Sequence, residues 1–235
     1  MPPSDRRSPC QSLNPDTPPE TLLRYSRVMI ENTFKDLVAS MAAKTSTPGG
    51  GAAAALSACL GAALLLMVIR FSRGKKATQE FDGLLAEVEI KLETELQRLM
   101  PMAEKDCASF DQVSKAFGLP KATDEEKTTR KAAIEEGMLG AMIVPEEALG
   151  MVRDVFQTIS PAIELIPKNI ASDLGTGSAL LLAGAEGVFL NVRINAAYLG
   201  DRVRAEAALS QNESVLSEVR EQHHRISTAI AKLME

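Results

Sequence analysis

The chain has no tryptophan, two tyrosines, two histidines and three cysteines in 235 residues. With so few aromatic rings, base stacking on single-stranded nucleic acid has little to work with. Cations are the minority charge: 26 Lys and Arg stand against 31 Asp and Glu, a formal net charge of −5. A protein that grips phosphates by neutralising them needs the opposite balance, so no nucleic-acid partner is expected. Two His and the scattered Cys10, Cys59 and Cys107 do not reach the spacing of a tetrahedral zinc site, and no metal is expected. The same cysteines offer no disulfide framework, which fits a reducing, cytoplasmic setting. No Asn-Gly or Asp-Gly pair lies between alternating apolar runs, so a sheet has no support.

Charge is also missing from Thr45 to Ile69. That run is long enough to cross a bilayer. Most of it is Gly, Ala, Ser and Thr, however, with Pro48 near its start and no Trp at either flank. A helix that is apolar all round also suits the centre of a soluble bundle, and this reading is preferred to a membrane span.

What remains is ordinary globular material, 45% hydrophobic and 24% charged. Residues 1–24 are proline-rich, carry no apolar leader segment and read as a flexible arm; residues 25–235 read as one helical domain. Val28, Phe34, Leu37, Val38 and Met41 form a stripe at helical spacing, with Asn32 as its cap. Gly51 to Arg73 predicts an Ala-rich apolar helix stopped by Gly74. Phe81 to Phe117 predicts a long amphipathic helix kinked or broken at Pro101, with Cys107, Phe110, Val113 and Phe117 as its buried stripe. Lys121 to Thr129 reads as loop. Arg130–Met142 and Glu146–Ile159 read as helices on either side of Pro145. Ser172 and Asp173 read as caps of a helix reaching Leu199, and Glu206–Met234 as the last helix. The fold class is therefore all-α, a multi-helix bundle of about seven to nine helices. Ala52–Ala63 and Gly175–Gly187 are rich in small residues, which let helix axes approach closely, so these two helices are expected at the centre or at a dimer interface.

Three segments resist a purely architectural reading. Thr47-Pro48-Gly49-Gly50-Gly51 precedes a long helix. It is either a hinge or a place where backbone N–H groups at a helix start meet an anionic ligand. Asp106 and Phe110 lie four apart on one helix face; Asp106 is either a solvated charge or a group at the edge of a buried stripe. Asn191 and Asn195 lie four apart among Val188, Phe189, Val192 and Ile194. Amides in such surroundings need partners: they either bridge helices or form a polar wall for a heteroaromatic ligand.

Taken with Arg73-Gly74-Lys75-Lys76, Leu119-Pro120, Ala141 to Pro145, Asn169-Ile170-Ala171-Ser172-Asp173 and Asp201, these segments resemble the cyclodeaminase/cyclohydrolase family acting on one-carbon tetrahydrofolates. The resemblance runs from about Tyr25 to the C-terminus. It implies an all-α, dimeric enzyme with no metal or redox cofactor. Its catalytic aspartate falls on Asp106. The implied folate site takes in Pro48, Gly49, Gly50, Gly51, Lys75, Lys76, Phe110, Asn169, Ser172, Asp173, Asn191 and Asn195. Two positions depart from the pattern: Ala52 stands where the family commonly has Ser, and Ala77 where it often has an aromatic residue. The implied reaction is hydrolysis of 5,10-methenyltetrahydrofolate or cyclodeamination of 5-formiminotetrahydrofolate. The shortness of the segment before Tyr25 favours the hydrolysis. A non-catalytic helical protein that binds folate or another partner is the reading from a different class.

Overall fold

The computed structural model describes residues 33–234. The arm over 1–24, and the positions of Val28 and Asn32, lie outside the described residues. Within them the chain forms α1 Phe34–Met41, α2 Gly50–Ser72, α3 Asp82–Leu99, α4 Met102–Phe117, α5 Asp124–Ile159, α6 Ala171–Ala197 and α7 Arg202–Met234. Short 3-10 turns at Lys76–Phe81, Ser160–Leu165 and Lys168–Ile170 link them, and no strand occurs among the described residues.

The bundle is organised around α2 and α6, which make the most extensive contact in the molecule. They run antiparallel, since Gly50 approaches Asn191 while Gly61 meets Gly177. At the glycines of this seam there is no room for a side chain. A Cβ on Gly61 would stand 2.7 Å from the Gly177 carbonyl, and one on Gly184 would stand 2.9 Å from the Ala54 carbonyl. The small-residue stretches therefore pack on one another, at the centre, because only short side chains let two backbones come this close. Both helices are long and apolar enough to cross a membrane by length and composition. Ala58, Ala62, Leu65 and Ile69 of α2, with Leu181 and Ala185 of α6, are instead fully enclosed by the other helices.

Several local expectations change. Lys121–Thr129 is not all loop: Thr123 caps α5, accepting from Glu126 N at 3.1 Å while the Glu126 carboxylate accepts from Thr123 N at 3.1 Å. This reciprocal capping, with three acids in the first turn, starts the helix six residues before Arg130. Helix α5 then continues through Pro145 rather than ending there. Ser172 and Asp173 are first-turn residues, not caps, because the 3-10 turn at Lys168–Ile170 feeds directly into α6. The last helix begins at Arg202, where the Asp201 side chain accepts from Arg204 N at 3.0 Å. The cap of α1 is Thr33, and α1 has no buried residue: Phe34 and Val38 are exposed, while Leu37 packs on the core. The break at Pro101 and the stop at Gly74, which has φ +66°, are as expected.

Candidate active site

Asp106 lies on α4 opposite the first turn of α2, and its half-buried carboxylate accepts a hydrogen bond from the backbone N–H of Ala52. The carboxylate thus occupies the positive end of a 23-residue helix. This contact explains one glycine directly. A Cβ built on Gly51 falls on the Asp106 carboxylate, so position 51 must lack a side chain for the acid to sit there. The contact at position 52 comes from the backbone, so Ala52 serves it as well as Ser would.

Burial pushes the Asp106 carboxyl up from the usual 3.8, and the Ala52 N–H opposes this only in part. No ion pair among the described residues involves Asp106. A desolvated carboxylate without a cation is costly to ionise, and is correspondingly basic. The neighbouring Cys107 thiol is pushed up to about 12, first by burial and then by the charge of Asp106, so it does not supply a thiolate.

Around this carboxylate is a cavity of about 280 Å³. The loop before α2 contributes Ser46, Thr47, Gly49, Gly50 and Gly51. Helix α4 contributes Asp106, Ser109, Phe110 and Phe117, α5 contributes Met138 and Ala141, and α6 contributes Asn191, Ile194 and Asn195, with Tyr198 just beyond its end. The spacing is helical: 191, 194, 195 and 198 fall on one face of α6. Phe110 and Phe117 were expected in the buried stripe of α4. They are 38% and 40% exposed, because they share the cavity-facing flank with Asp106, while Cys107, Val113 and Ala116 face the core.

The two asparagines are bonded differently. Asn191 Nδ2 donates to Gly187 O on its own helix at 2.9 Å, whereas Asn195 Nδ2 donates to Ala141 O on α5 at 3.0 Å. Tyr198 packs edge-on to Phe117, with ring centroids 6.1 Å apart, and the Arg130 guanidinium lies 5.6 Å from the Phe117 ring centre. Arg130 also donates to Phe117 O at 3.2 Å through Nη2. Beyond Tyr198 opens a second cavity, of about 430 Å³, carrying Lys121, Lys127, Arg130 and Lys131.

Of the residues expected at a site, the fold therefore brings together Asp106, Gly49, Gly50, Gly51, Phe110, Asn191 and Asn195. Pro48 shapes the loop without lining the cavity. Lys75, Lys76, Asn169, Ser172 and Asp173 lie at the other end of the α2–α6 pair, about 34 Å away along a helix rising 1.5 Å per residue. There Arg73 pairs with Glu89 at 2.6 Å and Asp82 at 3.2 Å, and Gly74 N donates to Asp82 at 3.0 Å. Sequence reasoning missed Tyr198, Phe117, Met138 and the basic groove. Extending the Asn191–Asn195 face by one residue step of three would have found Tyr198. The cation density between Lys121 and Lys131 would have found the groove.

The family profile described as formiminotransferase-cyclodeaminase matches residues 33–214. A methenyltetrahydrofolate cyclohydrolase of Methylorubrum extorquens is 38% identical over 194 residues, 83% of this chain and 93% of that protein. The formimidoyltransferase-cyclodeaminase of Gallus gallus is 27% identical over 231 residues, which cover 95% of this chain but 42% of that protein. The fold is shared with a crystal structure of formiminotetrahydrofolate cyclodeaminase from Thermotoga maritima, with TM-score 0.78 over 88% of this chain and 100% of that one, at 23% identity. The matched span holds every segment that builds the cavity, from the glycine loop through Asp106 to Tyr198, and the chain belongs to the formiminotransferase-cyclodeaminase family.

Proposed function

We propose that the chain is a one-carbon folate enzyme that hydrolyses 5,10-methenyltetrahydrofolate to 10-formyltetrahydrofolate. The observation that carries this reading is the Asp106 carboxylate, desolvated and without a paired cation among the described residues, in a cavity walled by rings and two amides. The substrate is a cyclic amidinium cation. A bare carboxylate supplies the complementary charge, which no cation among the described residues satisfies. Asp106 takes a proton from water as the water oxygen bonds to the bridge carbon, giving a neutral tetrahedral adduct. It returns the proton to the ring nitrogen N5 as the bond from that nitrogen to the carbon breaks, leaving the formyl group on N10. One proton is released to solvent overall. A raised carboxyl suits both roles, since a proton carrier works best when its titration approaches the working pH. Neither step needs a metal or a redox cofactor.

Phe110, Phe117 and Tyr198 suit a flat heterocycle, and the Asn191 amide suits its donors and acceptors. The ligand's glutamate carboxylates would reach past Tyr198 to Arg130 and Lys131. Lys75, Lys76, Asn169, Ser172 and Asp173 are too remote to serve this cavity within one chain. They would serve it only from a second copy. We infer a homodimer for this reason and from α2, where Ala53, Leu60, Ala63 and Phe71 leave an exposed apolar stripe, Leu60 and Phe71 at 58% and 57%. A two-fold axis across the middle of α2 would run the stripes antiparallel and bring one copy's Lys75 and Lys76 toward the other's Asp106. A cytoplasmic location goes with this reading.

Loss of the methenyl chromophore on adding purified protein, with 10-formyltetrahydrofolate as the product, is the expected result. The second reading, cyclodeamination, has N10 attacking the formimino carbon as ammonia leaves. It is favoured by the family membership, and ammonia released from 5-formiminotetrahydrofolate in place of methenyl hydrolysis would establish it. Tight folate binding with neither turnover would sink both.

A further inference from the structure

Pro145 stands inside α5, where an N–H would ordinarily donate to the carbonyl of Ala141 four residues earlier. Proline has no N–H, so that carbonyl loses its helical partner. Asn195 of α6 supplies one: its Nδ2 donates to Ala141 O at 3.0 Å. The bond joins two helices at the cavity, since Ala141 and Asn195 both line it and Met138 lies one turn before Ala141. Asn191, one turn earlier on α6, has no such task, because Gly187 O, to which it donates, lies on its own helix and faces no proline.

We propose that Asn195 is a positioning residue: its amide replaces the N–H that Pro145 lacks and so holds the α5 wall of the cavity, Met138 and Ala141, at a set distance from α6. The proline has a consequence here that a plain helix would not. Without it Ala141 O would be spent within α5 and would not be left for α6. With it, α5 offers α6 a carbonyl at the site itself. As read in activity the inference rests on the proposed function; as read in stability it does not.

A double-mutant cycle on the whole protein tests it. Asn195→Ala leaves Ala141 O without a donor, and is expected to raise KM about tenfold with a smaller change in kcat, as loss of a binding wall does. Pro145→Ala returns the backbone N–H and is expected to stay within about twofold of the parent in both constants. The double variant is the deciding one. If Asn195 acts through Ala141, adding Pro145→Ala restores KM to within about threefold of the parent, and the thermal midpoint recovers with it. Asn195→Asp, which keeps the size but loses the donor, is expected to be rescued in the same way. Should Asn195→Ala fail to fold, recovery of folded protein by Pro145→Ala supports the assignment equally. An Asn195→Ala penalty of the same size in both backgrounds, in KM and in midpoint alike, overturns it and returns Asn195 to direct contact with ligand. A chain with no folate turnover but with the coupling in midpoint would sink the functional reading while leaving this one standing.

Discussion

The two ends of the α2–α6 pair are built from similar parts and do opposite things. Each has glycine at the helix terminus and acids nearby. At the far end Arg73 and Arg70 answer Glu89, Asp82 and Glu93; the Asp82 carboxyl is held below its usual range first by the Gly74 N–H and then by Arg73, and that of Glu89 by Arg73 and Arg70. At the near end Asp106 has one backbone N–H and no paired cation among the described residues, and burial moves its carboxyl the other way. Charge matched by charge makes a helix stop. Charge left unmatched in a cavity is available to a ligand.

The largest effect should come from removing the unmatched charge. Asp106→Asn is expected to lower kcat by about 10²-fold or more, the usual size of a proton-transfer contribution. The same variant should be more stable than the parent at pH 8. The folded state holds the Asp106 proton more tightly than the unfolded chain does, so ionisation costs stability as pH rises above the usual 3.8. The advantage of the Asn variant should therefore shrink as pH falls toward that value. A variant that loses stability at pH 8 and keeps its turnover would make Asp106 an ordinary structural acid and erase the contrast.

Next is the glycine that makes room for it. Gly51→Ala puts a methyl group where the carboxylate sits, and kcat is expected to drop by about 10- to 100-fold from displacement alone. Circular dichroism should show helix content unchanged, Ala being the better helix former. Parent-like kcat in this variant would mean that Asp106 tolerates a different position.

A smaller effect should follow at the groove. Arg130→Ala with Lys131→Ala is expected to raise KM about three- to tenfold with kcat little altered, and the difference should narrow as salt is added. Steady-state kinetics at two ionic strengths read it, and a KM that ignores both changes would take the groove out of the site. The least catalytic effect belongs to the matched end. Arg73→Ala should lower the thermal midpoint and leave kcat as it was; a lost kcat with an intact midpoint would reverse the comparison.

Much of this was legible in the residues themselves. The charge-free run announced a buried helix, Gly74 and Pro101 announced its stop and the later break, and the resemblance carried by Thr47–Gly51 and Asp106–Phe110 pointed to the near-end carboxylate. The errors have local causes. Lys121–Thr129 looked like loop because its polarity hid a capping box at Thr123 and Glu126. Pro145 looked like a boundary because sequence cannot display the Asn195 amide that repairs the helix there, 50 residues on. That Lys75 and Asn169 stand apart from Asp106 within one chain, and would meet it only from a second copy, was not legible, because a motif set carries order along the chain and not distance.

Helix periodicity, caps and small-residue faces depend on residues three or four apart, so the sequence by itself determined the all-α bundle and the small-residue faces of α2 and α6, but not that these two faces pack on each other. Which groups meet at a site depends on the direction in which those helices pass each other. Their antiparallel packing put Gly51, Asp106 and Asn191 at one end and Lys75 and Ser172 at the other. That choice was made by the tertiary structure, because it is settled by contacts between residues a hundred or more positions apart, which no local spacing encodes.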